Sequence, residues 1–279
     1  MFIDAKEVLK MIKPGDRVLD VGGAAEVFPR ANAVIDILPY KSRKPGQLKD
    51  IPEQFGAEDW YVGDICAPQV WSNFKDKDFD FVICSHVLED IRDPVFVCGE
   101  MIRIAKAGYI ESPSRFRECA KWNPDQPVSG WEHHRWIVDV ENDTLVFTPK
   151  LHWANQFDYL GNRRRQYLAD HSFQFVALQW EGSFNYQERC SKGSALEAEN
   201  QFYFYDTFPY KDPRPFHVIR NAPHAGKTFL WFDEFKLPIE RLLTPEEIEK
   251  RHQQRITNRW KRAFKGIRRG FRKIKGEMG

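Results

Sequence analysis

The run RVLDVGGAAEVFPRANAVID, Arg17 to Asp36, restricts the fold more than any other part of this chain. Two short β-branched apolar segments each end in an aspartate, with a glycine pair directly after the first. Similar runs follow at FDFVICS (79–85) and GYIES (108–112), the composition of strands buried on both faces of a parallel sheet. Between them lie segments of helical period. Val8, Leu9 and Ile12 share a face in a stretch that stops at Pro14-Gly15, and Val97, Met101 and Ile104 share a face in DPVFVCGEMIRIA (93–105). The alternation predicts an α/β fold with a mostly parallel, doubly wound sheet. A parallel crossover needs a dozen or so residues. The link from VLDV to AVID barely reaches that length and contains Pro29, so one helical turn or an extended loop is expected in place of a long helix.

After Pro113 the rhythm becomes β-rich. RWIVDVENDTLVFTPK predicts a hairpin turning at Glu141-Asn142-Asp143, and FQFVALQWEGSFNYQ a second turning at Glu181-Gly182. The segments around GNRRRQY and FPYKDPRPF read as loops, and NRRRQ (162–166) is basic enough to meet an anionic acceptor. LTPEEIEK then opens a helix, with Thr244 as N-cap, Pro245 in the first turn and Glu247 completing a capping box. This divides the chain into a core over 1–115, a β-rich accessory region over 116–240 that completes the sheet, and a helical tail over 241–279.

Charge is distributed unevenly. Residues 251–279 hold eleven Lys and Arg against Glu277, a net +10 that leaves −8 for the rest of a chain whose total is +2. Within that tail Ile256, Trp260, Phe264, Ile267, Phe271 and Ile274 recur at spacings of four and three, so one helix face is apolar and the other cationic. Such a helix suits an anionic membrane surface, at about 1 kcal/mol per basic residue. Docking on the chain's own body or on a second subunit, and contact with nucleic-acid phosphates, are the other readings, nucleic acid the lesser of them. The opening residues lack the pattern of a secretory signal, and no apolar run approaches the roughly 20 residues of a membrane span. Five cysteines without a C-x-x-C pair fit a reducing compartment, so a cytoplasmic protein, peripheral at the inner membrane face, is expected.

In a doubly wound sheet ligands bind over the carboxyl ends of the strands. Gly22 and Gly23 lie at such an end and let backbone approach a ligand, while Asp36 can accept two hydrogen bonds from a ribose. Asp64, after the third strand, is placed to receive an adenine amino group.

Taken in order, VLDVGG, VIDI, GDI, FDFVICSHVLEDIRDPV and EMIRIAKAGYIESPS resemble the class I S-adenosylmethionine-dependent methyltransferases. The likeness is to the bacterial branch with SHVLEH and DP signatures and to members linked with surface-polysaccharide genes, and it covers about residues 1–115. It implies a Rossmann-like methyltransferase sheet and S-adenosyl-L-methionine as cofactor. It also implies that Asp20, Gly22 and Gly23 border the methionine part, Asp36 the ribose, and Asp64 with Ile65 the adenine, with Ser85 and His86 facing the sulfonium and the acceptor. Ala24 and Glu26 stand where the family often has glycines, and Asp90 where it has the second histidine.

Transfer to a hydroxyl requires alignment and a base for its proton. His86 is one candidate base. SGWEHHRWIV supplies the others, His133, His134 and Arg135, beside Glu132 and between Trp131 and Trp136, whose aromatic faces suit a sugar. No metal is expected, because neighbouring residues on a strand point to opposite faces and no third ligand stands at metal spacing. The expected activity is O-methylation of a small-molecule acceptor, a sugar or lipid-linked saccharide. The alternatives are an RNA- or protein-directed methyltransferase and a non-catalytic module of the same fold; oligomeric state is left open.

Overall fold

The computed structural model describes residues 5–44, 48–121, 125–150, 155, 174–190, 216–220 and 229–231. The chain divides into two compact units, Met1–Glu234 and Phe235–Gly279, and every described residue belongs to the first. The tail helix predicted over 241–279 and the basic loop 162–166 lie outside the described residues.

Helix α1 (Ala5–Met11) ends ahead of Pro14, and Gly15 turns the chain at φ 89° into β1 (Val18–Val21). β2 (Ala33–Asp36) and β3 (Trp60–Val62) follow, then the short α2 (Pro68–Trp71), β4 (Phe79–Ser85), α3 (Pro94–Ile104) and β5 (Ala105–Pro113). These five strands are parallel in the order 3-2-1-4-5. α3 begins where the sequence signals it, with Pro94 in the first turn and the Asp93 side chain accepting from Phe96 N–H at 2.9 Å. It buries Val97, Cys98, Met101 and Ile104 against the sheet.

The first crossover is a single 3-10 turn, Gly23–Ala25, as its length required. Val27, Phe28 and Ala31 do the covering that a helix would do. Phe28 is buried among Val18, Phe81 and Ile83, while Val27 and Ala31 close on Val34, Phe55 and Trp60.

α4 (Arg115–Glu118) leads to β6 (Trp136–Glu141) and β7 (Thr144–Pro149), the first predicted hairpin. Its two turn residues, Asn142 and Asp143, both adopt left-handed backbone at φ 47° and 57°, matching the twist of paired strands.

The second predicted hairpin does not form. β8 (Phe175–Glu181) runs antiparallel to β5 over seven residue pairs, and its other edge takes β10 (Phe216–Arg220). With both edges used, β8 has none left for β9 (Asn185–Cys190), which joins β7 in a four-stranded sheet whose order is β11 (Phe229–Trp231), β9, β7, β6. The larger sheet therefore has seven strands, mostly parallel, in a Rossmann-like arrangement. The smaller one shares a core with its α3 face, where Val138, Leu145, Phe147 and Phe184 meet Met101, Ile104 and Trp180.

A buried ionic network ties α4 to the small sheet. Arg115 binds Asp139 through Nε at 3.0 Å and Nη2 at 2.5 Å, and Arg189 reaches Glu141 at 2.5 Å. Arg115 and Asp139 are both buried. Taking away the Asp139 carboxylate strips a buried guanidinium of its bidentate partner. Asp139→Ala is expected to lower the unfolding free energy by about 3–5 kcal/mol, read as a shifted urea midpoint.

Candidate functional site

The strand order reverses between β1 and β4; in open α/β sheets this switch point, in the crevice between the loops leaving the two strands, is where ligands bind. Gly22 has φ 81°, and a Cβ there would fall 2.3 Å from Val87 Cγ2 in the loop after β4. Only glycine allows these loops to meet so closely. A Cβ on Gly23 would fall 2.5 Å from Asp20 Oδ2, which accepts from Phe28 N–H at 2.9 Å. Burial, reinforced by the nearby Asp36 and Glu26 charges, raises the Asp20 carboxyl to a pKa of about 7 despite that hydrogen bond.

Asp36 closes β2 and holds the glycine turn: Oδ2 accepts from Ala24 N–H at 2.9 Å and Oδ1 from Leu38 N–H at 2.7 Å. Each carboxylate oxygen has a second lone pair for a ligand. Beyond it lie Ile37, Leu38 and Val62, 70%, 49% and 59% exposed, the large apolar side chains left uncovered among the described residues. All three sit at the carboxyl ends of β2 and β3. Asp64 borders this surface, accepts from Cys66 N–H at 2.8 Å and pairs with Arg92, which holds its carboxyl below the usual range. Ile65 is buried, and its carbonyl accepts from Trp71 Nε1 at 2.7 Å. Ser85, at the end of β4, has a buried hydroxyl with no hydrogen-bond partner among the described residues. Around the carboxyl ends of β1, β2 and β4 the structure thus gathers a buried serine hydroxyl, a backbone approach that tolerates no Cβ, a carboxylate with remaining lone pairs and an exposed apolar surface. These features fit a nucleoside joined to a polar amino-acid end.

His86 adopts a left-handed backbone, φ 56°, which costs a non-glycine residue strain and is held here by its N–H donating to the Glu111 carbonyl at 2.8 Å. Its ring lies between two buried carboxylates, with Nε2 3.1 Å from Glu111 Oε1 and Nδ1 3.4 Å from Glu89 Oε1. Tyr109 Oη donates to Glu111 Oε2 at 2.6 Å and Ser112 Oγ to Glu89 Oε2 at 2.9 Å. Phe175 meets the ring edge-on. Burial alone would disfavour the imidazolium, but Glu111 and Glu89 outweigh it and raise the pKa to about 9. At neutral pH the ring therefore keeps its proton and offers a charge, with no lone pair for a base.

The other proposed bases converge elsewhere. Residues 131–135 form a turn, and β6 begins only at Trp136, so His133 and His134 are not on opposite strand faces. Both rings approach Asp90, with Nε2 of His133 at 4.0 Å and of His134 at 3.6 Å from Oδ1. His134 Nδ1 lies 2.7 Å from Glu118 Oε1, and Glu118 also receives Lys150 Nζ. Burial raises the Asp90 carboxyl to a pKa of about 6, with the two histidines pulling the other way. The Arg135 side chain is exposed, while its N–H donates to the Glu89 carbonyl at 2.7 Å.

Glu89, Glu111, Glu118 and Lys150 were not singled out from the sequence. Glu111 was findable there, since an acid inside the apolar run GYIES needs a buried cation or donor.

Residues 35–110, about a quarter of the chain, match the protein family described as "Methyltransferase domain". No curated protein matches. Solved structures similar to part of the chain include a SAM-dependent methyltransferase from Methanosarcina mazei, 18% identical with TM-score 0.28, over 39% of this chain and 57% of that one. The PH0226 protein from Pyrococcus horikoshii OT3 is 18% identical with TM-score 0.30, over 48% and 66%. The N-terminal domain of EvdMO1, solved in the presence of SAH and D-fucose, is 15% identical with TM-score 0.29, over 48% and 57%. In each case less than two thirds of the solved chain's length is matched.

The His86 charge has a measurable pH signature. Because its folded pKa of about 9 lies above the ordinary 6.5, its stabilisation is complete below about pH 6.5 and is lost as pH rises through 9. Imidazole NMR signals should show His86 titrating near 9, and Glu111→Gln should move that midpoint down toward the ordinary range.

Proposed function

We propose that this protein transfers a methyl group from S-adenosyl-L-methionine to a hydroxyl of a sugar or lipid-linked saccharide, at the cytosolic face of a membrane. The observation that carries this reading is the crevice between β1 and β4: glycine turn, closing aspartate, orphan serine and exposed apolar rim. The methyltransferase-domain match over residues 35–110 supports the methyl-transfer part of this reading.

The cofactor, when bound, supplies an electrophilic methyl on a positively charged sulfur. Asp36 takes the ribose hydroxyls with its remaining lone pairs, Ile37 and Val62 cover the flat base, and Asp64 accepts its amino group while Arg92 keeps that carboxylate ionised. Ser85 Oγ and the backbone at Gly22 and Gly23 hold the amino-acid end. His86, protonated, positions the loop after β4 through Glu89 and Glu111. The acceptor proton leaves toward the cluster of Asp90, His133 and His134, beside which the exposed Arg135 suits an anionic group of the acceptor. The basic amphipathic segment 251–279 supports a membrane-surface location through its charge and apolar period. Among the described residues no helix is long and apolar enough to cross a membrane.

Calorimetry with S-adenosyl-L-methionine tests the cradle. Ser85→Ala removes a hydroxyl that no group among the described residues satisfies, so the fold should keep its thermal midpoint while cofactor affinity drops about 3- to 30-fold. Asp36→Ala should abolish measurable binding. An absent isotherm with the unaltered protein, or equal affinity in Ser85→Ala, would overturn the assignment. For the tail, sedimentation with anionic vesicles is expected, reversed by high salt, and truncation at residue 250 should eliminate it.

A further inference from the structure

We infer that Asp90, His133 and His134 form a binding site for a divalent transition-metal ion, with Glu118 as the outer partner that orients His134. The inference needs neither the methyl-transfer reading nor a cofactor. One ligand atom from each of the three residues lies within 4.8 Å of the other two. The spacings of 3.6 Å and 4.0 Å from Asp90 Oδ1 to the two Nε2 atoms exceed hydrogen-bond length. The shorter is close to the roughly 3.4 Å that tetrahedral ligands about 2.1 Å from a shared ion leave between themselves, and the longer closes to it by a small movement of the exposed His133 side chain.

A second observation adds to that spacing: no donor from any other described element reaches Asp90 Oδ1 either. Asp90 Oδ1 is a buried oxygen with no hydrogen-bond partner among the described residues, although two imidazoles stand near it. If the three groups merely stabilised one another, a ring N–H would be expected to donate to this oxygen. An ion between them satisfies the oxygen and both nitrogens together.

The surroundings are organised as a metal site requires. The 2.7 Å contact of His134 Nδ1 with Glu118 puts the proton on Nδ1 and leaves the Nε2 lone pair facing Asp90. Lys150 Nζ bonds both Glu118 and, at 2.8 Å, the Trp131 carbonyl, so the orienting carboxylate is itself fixed and its charge balanced. Trp131 stacks on the His134 ring at 4.7 Å. Around a bound ion the three ligands would contribute one formal negative charge, that of Asp90. His133, 67% exposed, and the half-exposed Asp90 open the remaining coordination positions to solvent, where water or a substrate oxygen can enter. Two imidazoles and one carboxylate select zinc, cobalt, nickel or ferrous iron over magnesium or calcium, which favour oxygen ligands alone.

The test uses the full-length protein without an affinity tag, stripped with chelator and titrated with Co(II) and Zn(II), each with excess Mg(II) present. One equivalent of Co(II) should bind with visible d–d bands, and Zn(II) should displace it. His133→Ala alters an exposed side chain and should fold normally while weakening binding about 100-fold; Asp90→Asn should do the same, and Glu118→Gln should cost about 10- to 100-fold. His217→Asn should leave the titration unchanged. Absence of the Co(II) spectrum in the unaltered protein, or an unchanged titration in both His133→Ala and Asp90→Asn, would overturn the site. Because this readout involves no cofactor, it separates failure of the metal site from failure of the methyl-transfer assignment.

Discussion

Eleven residues, Gly22–Asn32, carry the chain from β1 to the adjacent parallel β2, and the rest of the crevice depends on how they manage it. A link this short has no helix to satisfy its backbone or cover the sheet, so side chains take over both tasks. Asp36 and Asp20 accept the amides of Ala24 and Phe28, and Asn32 Oδ1 accepts from Val18 N–H at 2.9 Å. Phe28 fills the uncovered face. The consequence for function is direct: the two carboxylates that brace the turn stand at the carboxyl ends of β1 and β2. Under the proposed function, bracing and ligand binding fall on the same groups, and the second lone pair of each Asp36 oxygen would reconcile them.

Buried charge organises the neighbouring region in the same way. A lone carboxylate inside a sheet would be costly, so Glu111 in β5 requires the Tyr109 hydroxyl and the His86 ring, and Glu89 requires Ser112 and the other side of that ring. Such clusters contribute little net stability relative to apolar packing. What they provide is definition: the His86 backbone is held in a left-handed conformation that its neighbours impose. The loop after β4 is thereby fixed over Gly22, where a Cβ would strike Val87.

The parts of this architecture legible in the sequence are those set by local periodicity. The strands of the parallel sheet, the face of α3, the short crossover and the turn at Asn142-Asp143 all follow from residue spacing within single segments. Strand partners are not local. FQFVALQWEGSFNYQ has the alternation of a hairpin, yet both edges of β8 are taken by β5 and β10, and no feature inside that segment announces this. The paired histidines were misread for a related reason: the alternating-face rule applies to a strand, and residues 131–135 are a turn. The buried acids escaped notice because Glu and Asp in a sequence default to the surface, and only pairing across the fold reveals otherwise.

Glu89 and Asp90 connect the two clusters. The Glu89 side chain meets His86 and Ser112, and its carbonyl accepts the N–H groups of Arg135 and Trp136 at 2.7 and 3.1 Å, where β6 begins. Trp136 Nε1 donates in turn to the Ile91 carbonyl at 2.8 Å. Asp90, the residue between, faces His133 and His134. Backbone and side chain of a two-residue run thus join the loop that covers the crevice to the turn that carries the second histidine pair. Hydrogen bonds thus hold this run from both sides. The aspartate at position 90 is what couples the two: its carboxylate addresses the histidine turn while its N–H donates to the Val87 carbonyl at 3.0 Å, the same residue that packs on Gly22.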